Sequence, residues 1–189
     1  MSVALGPLVV DAVDAQALAA FWDAALGSDD RRRLLTFRPQ RAPKTVKNRV
    51  HPDLYVDDVT RLLDLGARVL AEHSGWTTLA DIEDNEFCAF PAPRPGAAAA
   101  PARMFAVCTD SDRPEELAAW WAAVVGAEVR PGPDGTPRWL HHPAGWDDLI
   151  WKFVRVDDER AAPNRWEWSV RSDIGTRVDP QGNAFSVRR

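Results

Sequence analysis

Cysteine is scarce in this chain of 189 residues: Cys88 and Cys108 are the only two. Both lie inside apolar, strand-like runs, so they read as buried, reduced thiols and place the protein in a reducing cytoplasm. No apolar run approaches the roughly 20 residues of a membrane span. The first residues lack the basic start and long apolar stretch of a secretory signal. Positive charge is not in excess either. A net charge of −5 excludes the basic face that a nucleic-acid partner wants. Arginine far outnumbers lysine, and alanine, aspartate and proline are abundant, a bias associated with GC-rich bacterial genomes. The apolar fraction of 46% supports a packed core, and 27% charged residues is ordinary for a soluble protein.

The chain does contain a repeat. Leu18-Ala19-Ala20-Phe21-Trp22 returns as Leu117-Ala118-Ala119-Trp120-Trp121, an offset of 99 (117 − 18), and each copy closes on a glycine, Gly27 and Gly126. Asn48-Arg49 returns as Asn164-Arg165, with strands ending at Asp57 and Asp173. Asp81 to Asn85-Glu86-Phe87 returns as Asp179 to Asn183-Ala184-Phe185. Three motifs in the same order imply two related units. They span residues 1–90 and 103–189, joined by a Pro/Ala linker over 91–102.

Local patterning assigns the elements. Leu5–Val10 reads as a strand. Asp14 caps a helix whose apolar face is Leu18, Phe21, Trp22, Ala25 and Leu26, and Gly27 supplies the left-handed end. Arg33–Arg38 reads as a strand, with Arg31–Arg33 a solvated run. In Val50–Val56 the alternation puts Val50, Pro52, Leu54 and Val56 on one face, and His51, Asp53 and Tyr55 on the other. A helix from Asp57 or Asp58 through Leu65 is followed by strands Arg68–Ala71 and Trp76–Leu79. A turn at Asp81–Asn85 leads into strand Glu86–Phe90. In the second unit, strands are expected at Met104–Thr109, Glu128–Arg130, Arg138–His141, Leu149–Val156, Arg165–Arg171 and Ala184–Val187. A helix is expected over Pro114–Val125. Only 6 residues separate Asp173 from Asp179 (179 − 173), against 24 in the first unit (81 − 57). The second unit has therefore lost its second helix and a strand. The first has lost a hairpin.

A strand, a helix and then antiparallel strands, run twice per unit, resembles the βαβββ module of the vicinal oxygen chelate superfamily, the glyoxalase, bleomycin-resistance and extradiol-dioxygenase group. The pattern is most similar to its bacterial glyoxalase-like branch. The residues that carry the resemblance are Asn48 through Asp58, Leu65-Gly66-Ala67-Arg68-Val69, Trp76 through Asp81 and Asn85-Glu86-Phe87-Cys88. The resemblance implies an α+β fold of tandem βαβββ modules, with curved mixed or antiparallel sheets around a cavity and helices on the convex side. It also implies a small-molecule ligand. The chain would be a monomer with an internal pseudo-dimer, or a weak homodimer.

Metal-dependent members of that superfamily take a ligand from a module's first strand and a glutamate from its last. His51 and Glu86 fall at those positions. The full set is incomplete: the register partner of His51 in the first module is Pro7, and the second unit carries Glu167 and Ala184 at the equivalent positions. The His51–Glu86 pair has three readings. It is half of a site for one divalent ion (zinc, iron, nickel or manganese), a metal-free acid–base or ligand-contacting dyad, or a structural remnant with no cofactor. Asp53 or Asp11 would complete a ligand set, and Tyr55 shares the face of His51. Glu167 and Arg171 line the equivalent face of the second unit, and Trp139 and Trp151 are candidate cavity walls. Trp166 and Trp168 are expected to pack on the helix carrying Trp120 and Trp121. His141 and His142, adjacent on a strand, point to opposite faces and are not a chelate. Asn48, Arg49, Asn164 and Arg165 read as structural. The functional alternatives are a metal-assisted lyase or isomerase acting on an oxygenated metabolite, and a non-catalytic protein that sequesters a drug or metabolite.

Overall fold

The computed structural model describes residues 3–96, 100–172 and 175–188. The chain runs β1 (Leu8–Ala12), α1 (Ala15–Leu26), α2 (Ser28–Leu34), β2 (Leu35–Pro39), β3 (Val50–Val56), α3 (Thr60–Leu63), β4 (Arg68–Glu72), β5 (Thr77–Ala80) and β6 (Glu86–Pro91). It continues through β7 (Ala102–Ser111), α4 (Pro114–Val125), β8 (Glu128–Pro131), β9 (Pro137–His141), β10 (Ile150–Arg155), β11 (Trp166–Glu167), β12 (Ser169–Val170) and β13 (Ser186–Val187). The linker expected over 91–102 leads from β6 to β7, and its residues 97–99 lie outside the described residues, as does Asp173. No helix among the described residues is long and apolar enough to cross a membrane.

Asp14 opens α1 as its pattern requires, accepting the N–H groups of Gln16 and Ala17 at 3.1 and 2.9 Å. Gly126 ends α4 in the left-handed region. Gly27 instead has φ +82° and ψ 142°, and α2 follows at once. The run read as solvated is thus helical, and β2 begins only at Leu35. The charges explain this: Asp29 and Asp30 occupy the first turn and Arg31–Arg33 the last, the order the helix dipole favours. The helix expected through Leu65 is the single turn α3, and no helix lies between β12 and β13 among the described residues.

Eight strands form the main sheet, in the order β4-β5-β6-β3-β7-β10-β9-β8. Its centre is the antiparallel pair β3–β7, flanked by the parallel pairs β3–β6 and β7–β10. The order outward from the centre is the same on both sides: first strand, last strand, middle strand, second strand. Each half is a complete βαβββ module, one from either side of the linker. The remaining strands form a smaller sheet, β11-β1-β2, and the pair β12-β13.

The helices press their apolar faces onto one side of the main sheet. Trp22 of α1 meets Phe87 and Trp166 at ring-centroid distances of 5.3 and 5.7 Å. Trp121 of α4 meets Trp151, Trp168 and Phe185 at 5.0, 5.5 and 5.3 Å. Trp168 therefore packs on α4 as its spacing implies, while Trp166 packs on α1.

The three repeated motifs converge on one hydrogen-bond relay, made twice. In the first, Trp22 Nε1 donates to Asp81 Oδ2 at 3.1 Å, Asn85 Nδ2 donates to the same carboxylate at 3.0 Å, and Asn48 Nδ2 donates to Asn85 Oδ1 at 3.0 Å. In the second, Trp121, Asp179, Asn183 and Asn164 repeat the arrangement at 3.3, 2.7 and 3.1 Å. Buried polar groups need partners, and this requirement accounts for the recurrence of those residues together. Gly145 answers a different constraint. Its φ is +92°, and a Cβ there would lie 2.1 Å from the Leu5 carbonyl oxygen, where residues 5 and 6 cross residues 144–146.

Candidate functional site

Alternation on β3 sends Val50, Leu54 and Val56 into the core under the helices. His51, Asp53 and Tyr55 consequently project from the opposite face of the main sheet. Register brings partners to them. Asp53 lies beside Cys88 of β6, and His51 lies beside Cys108 of β7. Cys108 in turn lies beside Lys152 of β10, and Lys152 beside Trp139 of β9. A register shift in the β3–β7 ladder between Asp53 and Leu54 passes over Phe105. The bulge turns Phe105 onto this face, where it stacks on Tyr55 at 3.9 Å.

Lys152 dominates the electrostatics of this face. Its ammonium donates to Asp53 Oδ2 at 2.9 Å, and Asp53 is only 2% exposed. The same ammonium lies over the rings of Phe105, Trp139 and Phe90 at 4.6, 5.0 and 5.4 Å. Cys108 Sγ donates to the same Asp53 oxygen at 3.2 Å. His51 Nε2 lies 3.8 Å from Asp53 Oδ1. Burial pushes the His51 imidazole below its ordinary pKa, against the pull of Asp53 and Asp110. Burial likewise pushes the Cys108 thiol well up, with Asp53 adding to the effect, and the Cys88 thiol up to about 11. Around Asp53 the face thus holds an ion pair with Lys152, a neutral imidazole and two protonated thiols at neutral pH. Three buried polar atoms on it have no hydrogen-bond partner: His51 Nδ1, Asp53 Oδ1 and Trp139 Nε1.

The structure gathers His51, Asp53, Tyr55 and Trp139 around Lys152; Glu86, two residues before Cys88 on β6, shares their face and acts electrostatically on His51, while Asp11, Glu167, Arg171 and Trp151 lie elsewhere. Glu86 accepts Lys44 Nζ at 2.6 Å and the Asn48 N–H at 3.1 Å. Among the described residues no hydrogen bond or ion pair joins it to His51. Asp11 belongs to the smaller sheet, where Arg38 bonds both Asp11, at 2.6 Å, and Glu167, at 3.2 Å. Asp11 also lines a separate cleft of about 280 Å³ between residues 40–49 and 158–165. Glu167 is engaged by Arg38 and by Ser186. Arg171 is exposed just beyond β12 and holds Ala4 through its backbone N–H. Trp151 is not a cavity wall: it is fully buried among Trp121, Trp146, Phe153 and Trp168, and its indole N–H donates to Thr109. The reason is register. Trp151 pairs with Leu140 while Lys152 pairs with Trp139, so Trp151 and Trp139 lie on opposite faces.

Sequence reasoning did not reach Lys152, Phe105 or the role of Cys108. A signal for the lysine exists, as a single charge inside the run Leu149-Ile150-Trp151-Lys152-Phe153-Val154. Pro7, the counterpart of His51 in the first module, offers no ligand, and the ladder brings Cys108 to His51 from beyond the linker.

His51, Asp53 and Cys108 form a group that could hold a divalent ion, since one donor atom from each lies within 4.8 Å of the others. Imidazole, carboxylate and thiolate suit zinc and its neighbours. The charge does not fit. Lys152 already supplies a cation to the central carboxylate. An ion held there would sit beside the ammonium and compete with it for the same carboxylate. With Lys152 bonded to Asp53, the charge of that carboxylate is already balanced without an ion.

The sequence matches a family model described as a glyoxalase-like domain over residues 7–90 and 106–179. Similar folds occur in glyoxalase I from Zea mays, with a TM-score of 0.64 and 12% identity over 98% of this chain and 92% of that one. A point mutant of the same maize enzyme gives 0.63, with 11% identity over 98% and 93%. A Bacillus subtilis protein assigned as a dioxygenase gives 0.60, with 11% identity over 94% and 71%. At such identities the likeness is one of fold. A search of curated proteins finds no match.

Proposed function

We propose, from the premise that this chain belongs to the glyoxalase-like domain family, that it is a small-molecule-binding protein whose ligand site is the Lys152–Asp53 face of the main sheet. The observation that carries this reading is the set of unpartnered buried atoms, His51 Nδ1, Asp53 Oδ1 and Trp139 Nε1, around a cation walled by aromatic rings. Buried polar groups without partners cost stability, and a ligand carrying a hydroxyl donor and an acceptor oxygen on a planar frame would satisfy them. Tyr55, Phe105 and Trp139 supply flat walls, and the Lys152 ammonium and Trp139 N–H supply donors to ligand oxygens. The occupation of Asp53 by Lys152 in place of an ion favours the metabolite- or drug-sequestering alternative over a metal-assisted lyase or isomerase. The enzyme reading keeps one specific support. His51 is neutral and adjoins Asp53, so it can accept a proton from a bound ligand. A two-unit organisation about the linker, action as a monomer or weak homodimer, and a cytoplasmic location belong to the same proposal.

The test is a thermal-shift and tryptophan-quenching panel of 2-oxo and 2-hydroxy carboxylates, catechols and planar aromatic amines, on the wild type and on Asp53→Asn and Trp139→Phe. Binding that weakens at least tenfold in either variant supports the site. Binding unaffected by both, or no binding across the panel, overturns it.

A further inference from the structure

We infer that Lys152 stands in for the divalent ion at this face, so that the protein carries its counter-charge covalently and its His51–Asp53–Cys108 group becomes a metal site only when the lysine is removed. Three observations lead there. First, the lysine reaches over the metal-capable group and no other. Its backbone is in register with Cys108, which is in register with His51, and its ammonium ends on the Asp53 oxygen that the Cys108 thiol also bonds.

Second, the surroundings of the ammonium select against a metal. Phe90, Phe105 and Trp139 present ring faces, which stabilise an alkylammonium and offer no lone pair to a metal. Third, the substitution happens twice on this side of the sheet. Glu86, the other carboxylate expected to ligate, is closed off by Lys44 at 2.6 Å, with the two side chains 14% and 12% exposed respectively. Each carboxylate that might face an ion is neutralised by its own lysine.

The consequence is a latent site. A buried carboxylate deprived of its partner is strongly destabilising. Without Lys152, Asp53 would face the protonated thiol and the imidazole alone. A divalent cation then restores the charge balance and gains three donors already gathered within 4.8 Å. Metal uptake also deprotonates the coordinating thiol.

Cobalt(II) alone is the probe, because thiolate coordination gives a near-ultraviolet charge-transfer band that an outer-surface ion does not. Wild type, Lys152→Ala and Lys152→Met are compared, each with and without Cys108→Ser, with folding checked by circular dichroism. Lys152→Met keeps the volume of the stem and guards against collapse of the alanine variant. We expect no band in the wild type and about one cobalt per chain in the lysine variants, lost again with Cys108→Ser. A cysteine-dependent band in the wild type would overturn the inference without any variant. So would folded lysine variants that take up no cobalt. Cobalt absorption reads the cation position and the melting panel reads ligand binding, so this inference and the proposed function fail separately.

Discussion

The Trp-Asp-Asn relay makes a sharp energetic prediction through Asp81→Ala. Asp81 is 1% exposed and accepts from Trp22 Nε1, from the N–H groups of Glu83 and Asn85, and from Asn85 Nδ2. Alanine removes the acceptor but leaves the indole N–H and the Asn85 amide in place, and both residues are fully buried. A buried donor left without a partner costs about 1–3 kcal/mol. The indole N–H and the two Asn85 donors, main chain and side chain, bring the loss to about 4 kcal/mol once the relief of no longer desolvating the carboxylate is subtracted. For a chain of this length, 1 kcal/mol corresponds to roughly 2–4 °C in Tm. Scanning calorimetry should therefore show a fall of about 8–16 °C. The exposed helix cap is the internal standard: Asp14→Ala should cost about 1 kcal/mol. Asp179→Ala, which breaks the second relay, should resemble Asp81→Ala. If Asp81→Ala melts no lower than Asp14→Ala, the relay is a geometric coincidence and its recurrence needs another cause.

Further outcomes follow from other contacts. Gly145→Ala places a Cβ against the Leu5 carbonyl oxygen and should lower the urea midpoint by more than any other glycine-to-alanine change in the chain. Trp151→Ala should cost about 3–5 kcal/mol in chemical denaturation, while Trp139→Phe stays within about 1 kcal/mol of wild type; equal losses would refute the assignment of the two indoles to opposite faces. Burial holds the Cys88 thiol at about 11. Its thiolate fraction at pH 8 is then about one in a thousand, and native alkylation by iodoacetamide should run about 100-fold slower than for a free thiol, gaining about tenfold per pH unit. Because that pKa is raised on folding, its contribution to stability is complete below the unfolded value of 9.0 and disappears as pH rises through about 11. Arg38→Met should loosen β1 and β2 from β11, since one guanidinium bonds both Asp11 and Glu167. Hydrogen exchange at the β1 amides would report it.

Features set by local chemistry were legible from the sequence alone. The α4 boundaries, the β3 alternation and the recurrence of Trp, Asp and Asn each depend on residues that act on near neighbours or on identical partners in both halves. Pairing across the linker was not legible. Nothing in the periodicity of Val50–Val56 says that its neighbour is Ala102–Ser111, so the approach of Cys108 to His51 could not be read from it. Counting alternation strand by strand likewise could not put Trp139 and Trp151 on opposite faces, because that depends on the β9–β10 register. The engagement of Glu86 by a lysine was not legible for a related reason. The loop before β3 brings Lys44 to the glutamate first, and loop positions carry no period.

Trp166 and Trp168 sit two residues apart, yet one seats against Trp22 and the other against Trp121. During synthesis both helices leave the ribosome long before these indoles do. The growing chain must therefore hold two unfinished aromatic surfaces until the same few residues close both, so completion of the fold is a late, nearly simultaneous event in the life of the nascent chain. A chain cut short just before residue 166 would leave both aromatic surfaces open at once.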